Sequence, residues 1–265
     1  MTAPTSILGD DGYAVIDGAL SRRSVRRIAS MLRRFDVPDD HGFFASPVHA
    51  HGDVAAGFDR DVKRLAQRRW RRVVPGHRPF MVAVTSKGAR STTPIKYHQD
   101  WTYTDEREHR PVFLWCPLVD VGEDTGALRV VPGSHRWTSA IRPSRHIEVT
   151  EAFQDELDRR SVPVPLRAGQ ALAFDPALCH GSKANQGDSR RPAITVAFAP
   201  TGAQLVHFHL DGDGLLSGYE VDDAFFTTNP YGTAPEGRTE VAPWDRPLGA
   251  VDFEAVLASS VRPTA

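Results

Sequence analysis

Apolar positions change their spacing near residue 80. Before it they recur every three to four residues; after it they alternate or cluster in short runs. Val25, Ile28, Ala29, Leu32 and Phe35 form one stripe, which predicts a helix from Ser21 to about Phe35. Ser21 is suited to cap that helix, and Leu20 and Val25 hold the two positions of a hydrophobic staple. Val62, Leu65, Ala66 and Trp70 predict a second helix over 59–73, and a short strand at 13–16 precedes both. From Phe80 the pattern predicts eight strands, at 80–86, 95–101, 112–119, 127–131, 162–166, 170–175, 178–182 and 192–199. Turn sequences such as Asp124-Thr125-Gly126 and Pro132-Gly133-Ser134 separate them. Eight short strands with Gly- and Pro-rich joints indicate a double-sheet jelly roll. The expected fold is therefore mainly β: a double-stranded β-helix (jelly roll, cupin-like) with flanking N-terminal α-helices.

Residues 134–161 are polar and predict an insertion with a short helix near 151–160. The tail 210–265 is rich in Gly, Pro and Asp; it is expected to wrap the barrel or cover its mouth, with Phe225, Phe226, Tyr231 and Trp244 as large apolar residues. No linker is visible. The reading is one domain over 1–265, with helical support at 1–78, a jelly-roll core at 79–200 and a C-terminal extension or lid at 201–265.

Composition narrows the function classes. The chain has 265 residues, 40% hydrophobic and 25% charged, as in ordinary globular proteins. A net charge of −1 gives no general pull toward nucleic acid or anionic membranes. The six Arg of the first helix read as a solvated face. Cys116 and Cys179 supply no disulfide framework and fit a reducing cytosol. No apolar run approaches the ~18 residues of a membrane span, and residues 1–13 lack the pattern of a signal peptide. A cytoplasmic protein acting on a small molecule, with no nucleic-acid or membrane partner, is expected; the oligomeric state is open.

The chemistry lies in His98-Gln99-Asp100, followed by His180 and Arg191. In an extended segment residues i and i+2 point to the same side, so His98 and Asp100 share a face. Two imidazoles and one carboxylate are the ligand set of non-haem Fe(II) oxygenases, which leave metal positions open for O2 and a co-substrate. A jelly roll brings its second and seventh strands together, so the long separation of His98 from His180 is no obstacle. Arg191 can hold the distal carboxylate of a 2-oxo acid on the same metal; Arg190 is the alternative, because alternation lets only one of them face inward. Ser182, on the same side as His180, either assists that carboxylate or caps a turn. Cys179 faces the other way and reads as core. A second triplet, His209-Leu210-Asp211, has no later His to complete it. Gln99, Trp101 and Tyr103, with the Arg-rich segments 107–110 and 142–145, are candidates for the entrance; Trp101 is equally a packing residue.

The stretches YHQDW, LWCPLVDVGEDTGALRVVPGSH and CHGSKANQGDSRRPAITVAF resemble the phytanoyl-CoA dioxygenase family of Fe(II)/2-oxoglutarate oxygenases over about 79–200, and the opening GYAVIDGALS is similar as well. The resemblance implies iron ligation by His98, Asp100 and His180, and 2-oxoglutarate held by Arg191 with help from Ser182. It also implies an aromatic wall at Trp115 (a core position by the alternative reading) and a polar contact from Thr85. The activity implied is hydroxylation or another oxidation of a small molecule, with Fe(II), 2-oxoglutarate and O2 consumed to succinate and CO2, in the setting of secondary metabolism. Related halogenases carry a small residue where Asp100 stands. Two other classes fit the same residues: a cupin-like metal enzyme that uses no 2-oxo acid, and a non-catalytic jelly-roll binding protein.

Overall fold

The computed structural model describes residues 7–35, 37, 42–137, 139–144, 149–230, 232–247 and 250–259. Strands β1 (Tyr13–Ile16) and β2 (Phe43–Ala45) flank the helices α1 (Arg22–Met31), α2 (Ser46–His49) and α3 (Asp53–Val73). The barrel follows as β3 (His77–Lys87), β4 (Ile95–His98), β5 (Val112–Pro117), β6 (Leu128–Val130), β7 (Val162–Pro163), β8 (Ala171–Phe174), β9 (His180–Ser182) and β10 (Arg191–Pro200). Helix α4 (Gln154–Arg160) lies between β6 and β7. The chain ends with β11 (Leu205–Leu210), β12 (Leu216–Val221), α5 (Phe225–Thr228), β13 (Glu240–Val241) and α6 (Ala250–Ser259).

The strands pair as two facing sheets. One has the order β1-β8-β5-β10-β3-β2, the other β4-β9-β6-β7, and all pairings are antiparallel. This is the eight-strand jelly roll expected from the sequence, extended at both edges of the larger sheet by β1 and β2. A third sheet, β11-β12-β13, comes from the tail that the sequence reading left without strands. Its hairpin turn holds Gly212 and Gly214, and Asp211 closes it by accepting from the amides of Asp213 and Leu215. Polar turn residues dilute the apolar signal there, which hid the strands.

Alternation assigns the faces. Val112, Leu114, Ile194, Val196 and Phe198 point from the large sheet onto the buried side of α1 and α3, meeting Ile28, Phe58, Val62 and Trp70. Their neighbours Phe113, Trp115, Ala193 and Ala197 point between the sheets, toward Leu128, Val130 and Phe174. Both faces of the large sheet are thus buried, as its near-continuous apolar strands require. Cys179 packs on the outer side of the small sheet with Tyr97, Leu157 and Phe253, as its position beside His180 implies.

Three differences from the expected boundaries have an evident local cause. Helix α3 begins at Asp53, six residues early, because buried Ala55 and Phe58 carry it through Gly57. Strand β7 stops after two residues, since Pro163 and Pro165 have no amide to continue the ladder. Strand β4 stops at His98, and the Asp100 amide turns to the Pro176 carbonyl at 2.8 Å. The expected cap is present: Ser21 accepts from the Ser24 amide at 3.0 Å. Among the described residues no helix is long and apolar enough to cross a membrane.

Candidate metal and co-substrate site

Strands β4 and β9 are neighbours in the small sheet, and His98 stands directly opposite His180. Gly181 permits the approach: a Cβ there would lie 2.8 Å from the Ile95 carbonyl oxygen. The two rings are 4.4 Å apart. Asp100 completes a triangle, with one carboxylate oxygen 3.9 Å from His98 Nε2 and the other 3.9 Å from His180 Nε2. All three ligand atoms lie within 4.8 Å of one another. Separations of this size are close to those between ligands of one cation with bonds of about 2.1 Å, so the three side chains are grouped to hold a metal.

The proton positions suit ligation. His98 Nδ1 is 2.8 Å from the Lys96 carbonyl, and His180 Nδ1 is 2.9 Å from that of Leu178. A carbonyl can only accept, so each Nδ1 carries the hydrogen and each Nε2 presents a lone pair to the centre. Burial, and then His98, pushes His180 down to about 4, so it is neutral at physiological pH. The other triplet does not compete. Asp211 is spent on its hairpin turn, and among the described residues only His98, Asp100 and His180 are grouped to hold a metal.

Arg191 opens β10 with 2% exposure and lines the cavity that holds the triad, whereas Arg190 is half-buried and is not among the lining residues. Burial lowers the Arg191 guanidinium to about 10, leaving it charged at neutral pH. It lies 5.3 Å from the Trp115 ring, and its Nε and Nη1 have no hydrogen-bond partner. Two further polar atoms of residues lining the same cavity are buried and unpartnered: Ser182 Oγ and Thr85 Oγ1. All four residues line one cavity of about 510 Å3 together with the triad. Buried polar groups are normally paired, and a buried cation without an anion is costly. Unpaired donors gathered beside a metal-binding triangle fit a carboxylate ligand. Asn185, five residues after His180, holds the intervening loop by donating to the carbonyls of Gly88 and Ser189, both at 2.8 Å.

Gln99 and Trp101 also line the cavity, Gln99 being fixed by its bond to the Ala177 carbonyl. The Arg-rich segments do not line it. Arg107 pairs with Asp105, Arg110 with Asp175, and fully buried Arg142 with Glu106 and the Asp100 carbonyl. Arg145 lies outside the described residues. Phe225 and Phe226 of the tail reach the cavity; Trp244 packs on Phe208 under the Arg107 guanidinium, and Tyr231 lies outside the described residues.

Lys87 escaped the sequence reading. It is fully buried, directly opposite Arg191 in the β3–β10 ladder, and donates to the carbonyls of Ser182 and Lys183. Strand alternation could have found it, because Met81, Ala83, Thr85 and Lys87 share the inner face. Gly126 leaves room for it: with φ +74°, its Cβ would sit 3.3 Å from Lys87 Cδ. Burial, and then Arg191, lowers Lys87 to about 7. A neutral amine still has hydrogens for both carbonyls. Between pH 7 and the ordinary 10.5, the unfolded chain holds a proton that the folded chain has lost, so the stability contribution rises with pH across that window. Lys87→Met is therefore expected to match or exceed wild-type stability at pH 7, and wild type should gain on it up to pH 10. Thermal melts of both proteins across that range check this.

A family model described as phytanoyl-CoA dioxygenase (PhyH) matches residues 8–193. A dioxygenase named cdmD from Talaromyces verruculosus is 32% identical over 95 residues, covering 35% of this chain and 28% of that protein. Human peroxisomal phytanoyl-CoA dioxygenase is 26% identical over 129 residues, covering 44% and 37%. The matches thus span about a third of the length of these curated relatives. Among solved structures, the epimerase SnoN in complex with Fe3+, α-ketoglutarate and nogalamycin RO superposes with a TM-score of 0.60 at 21% identity, covering 90% of this chain and 93% of that one.

Proposed function

The chain belongs to the phytanoyl-CoA dioxygenase family, and from that premise we propose that it is an Fe(II)/2-oxoglutarate-dependent dioxygenase acting on a small molecule. One observation carries the reading: the buried, uncompensated Arg191 guanidinium opens into the cavity that holds His98, Asp100 and His180. A metal enzyme without a 2-oxo acid would not need that cation.

His98 and His180 would hold the iron through Nε2, and Asp100 through its carboxylate. Iron with 2-oxoglutarate supplies oxygen activation coupled to loss of CO2 and formation of succinate. Arg191 binds and orients the distal carboxylate of the co-substrate; Ser182 and Thr85 give it hydroxyl partners, and Trp115 walls that end. Phe113, Phe174, Phe225 and Phe226 keep water from the reacting centre. The presence of Asp100 leaves a complete protein triad, which favours hydroxylation or a related oxidation. A substrate from secondary metabolism agrees with the nogalamycin-pathway protein of the same fold.

The test is succinate formation. Protein supplied with Fe(II), ascorbate, 2-oxoglutarate and O2 is expected to release succinate slowly alone and at least about tenfold faster with its substrate, in step with O2 uptake. Absence of any 2-oxoglutarate-dependent O2 uptake across a broad metabolite panel would contradict the reading.

A further inference from the structure

The cavity has a second polar feature that the oxygen chemistry does not use. His207 on β11 lines it, is 6% exposed, and has an Nε2 with no hydrogen-bond partner. Its ring lies 4.8 Å from that of Phe225 and edge-on to Trp101 at 6.3 Å. Trp101 follows the ligand Asp100 directly, and Phe225 packs on Phe226 at 5.3 Å. His207 is therefore set in an aromatic wall of the cavity.

We propose that His207 is a substrate-positioning residue that exchanges one hydrogen bond with a hydroxyl or carbonyl of an uncharged, largely aromatic small molecule. The proposal rests on the oxygenase reading above and specifies what that site accepts. Burial, and then the neighbouring His209, lowers His207 to about 4. At neutral pH it offers one N–H and one lone pair, which suit a hydroxyl or carbonyl and supply no positive charge. The charges around the cavity agree. Of its ionised side chains, Asp100 belongs to the triad and Arg191 to the co-substrate, while Lys96 and Glu151 pair with each other at the exposed rim. The neighbouring Arg residues are tied to their own carboxylates. An anionic substrate, including one linked to coenzyme A, would enter without a counter-charge. The aromatic wall instead offers stacking and edge contacts to a flat ring system.

Three probes of one shape separate the possibilities: 2-naphthol, naphthalene and 2-naphthoate. Equilibrium dialysis against wild type loaded with Ni(II) and 2-oxoglutarate is expected to show 2-naphthol bound about tenfold more tightly than either of the others. His207→Phe is expected to bring 2-naphthol down to the level of naphthalene while naphthalene binding persists. His207→Gln, which keeps a donor and an acceptor, is expected to retain a preference for 2-naphthol. Equal or tighter binding of 2-naphthoate, a 2-naphthol preference that survives in His207→Phe, or binding of none of the three would overturn the proposal. Binding of 2-oxoglutarate to the same Ni(II) protein is measured separately; its absence would overturn the oxygenase reading instead.

Discussion

Replacing Arg191 with methionine is expected to weaken 2-oxoglutarate binding by about 100-fold, equivalent to about 2.8 kcal/mol. The guanidinium is buried, lines the cavity of the triad and has two nitrogens, Nε and Nη1, without partners, and a charge-assisted pair formed away from water is worth more than an exposed one. The same variant should be no less stable than wild type without co-substrate. Wild type carries an uncompensated buried charge, and an apolar side chain of similar length removes that cost. A binding loss together with an unchanged or raised melting midpoint separates a ligand-binding role from a structural one. Calorimetric titration with 2-oxoglutarate and a thermal melt of the apoprotein check the pair. A variant that melts much earlier and binds as before would identify Arg191 as part of the scaffold.

Asp100→Ala is expected to lower succinate formation by at least about 1,000-fold, about 4 kcal/mol in barrier height. The carboxylate bridges the two imidazole nitrogens at 3.9 Å on each side and is the only anionic ligand in the group. Without it two neutral donors remain, and metal affinity should fall with activity. The fold should survive, because the Asp100 amide and carbonyl, not its side chain, make the bonds to Pro176 and Arg142. Chelator competition for the metal, with succinate measured on the same samples, tests this. A jelly-roll protein that merely binds ligands would keep its ligand affinity in this variant and consume no O2 in either form.

The barrel was legible because its strands are nearly all apolar or strictly alternating. The eight segments from 80–86 to 192–199 map one for one onto β3 to β10. Fold and site were linked by that reading: once the second and seventh strands are neighbours, His98 and His180 must meet. Where a local signal was weak, the structure decided differently. Gly57 hid the first turn of α3, although Ala55 and Phe58 bury the same face. The β11–β12 hairpin was hidden by Gly212, Asp213 and Gly214, and with it went His207. Lys87 was overlooked for a different reason. A lysine at a strand end reads as solvated, although alternation with Thr85 puts it on the inner face, where the partner strand encloses it opposite Arg191. The segments 107–110 and 142–145 erred the other way: they looked like a basic entrance, but each arginine described there is held by a carboxylate. Pairing across long sequence separations is what single-chain patterning does not carry.

The central claim is that a 2-oxo acid chelates a metal held by His98, Asp100 and His180 while Arg191 grips its far end. Anaerobic titration of the Fe(II) protein with 2-oxoglutarate reads this directly. The account predicts a weak visible charge-transfer band that saturates in wild type, needs about 100-fold more 2-oxoglutarate in Arg191→Met, and is lost in Asp100→Ala. Wild-type protein that binds Fe(II) but gives no band at any 2-oxoglutarate concentration would contradict it.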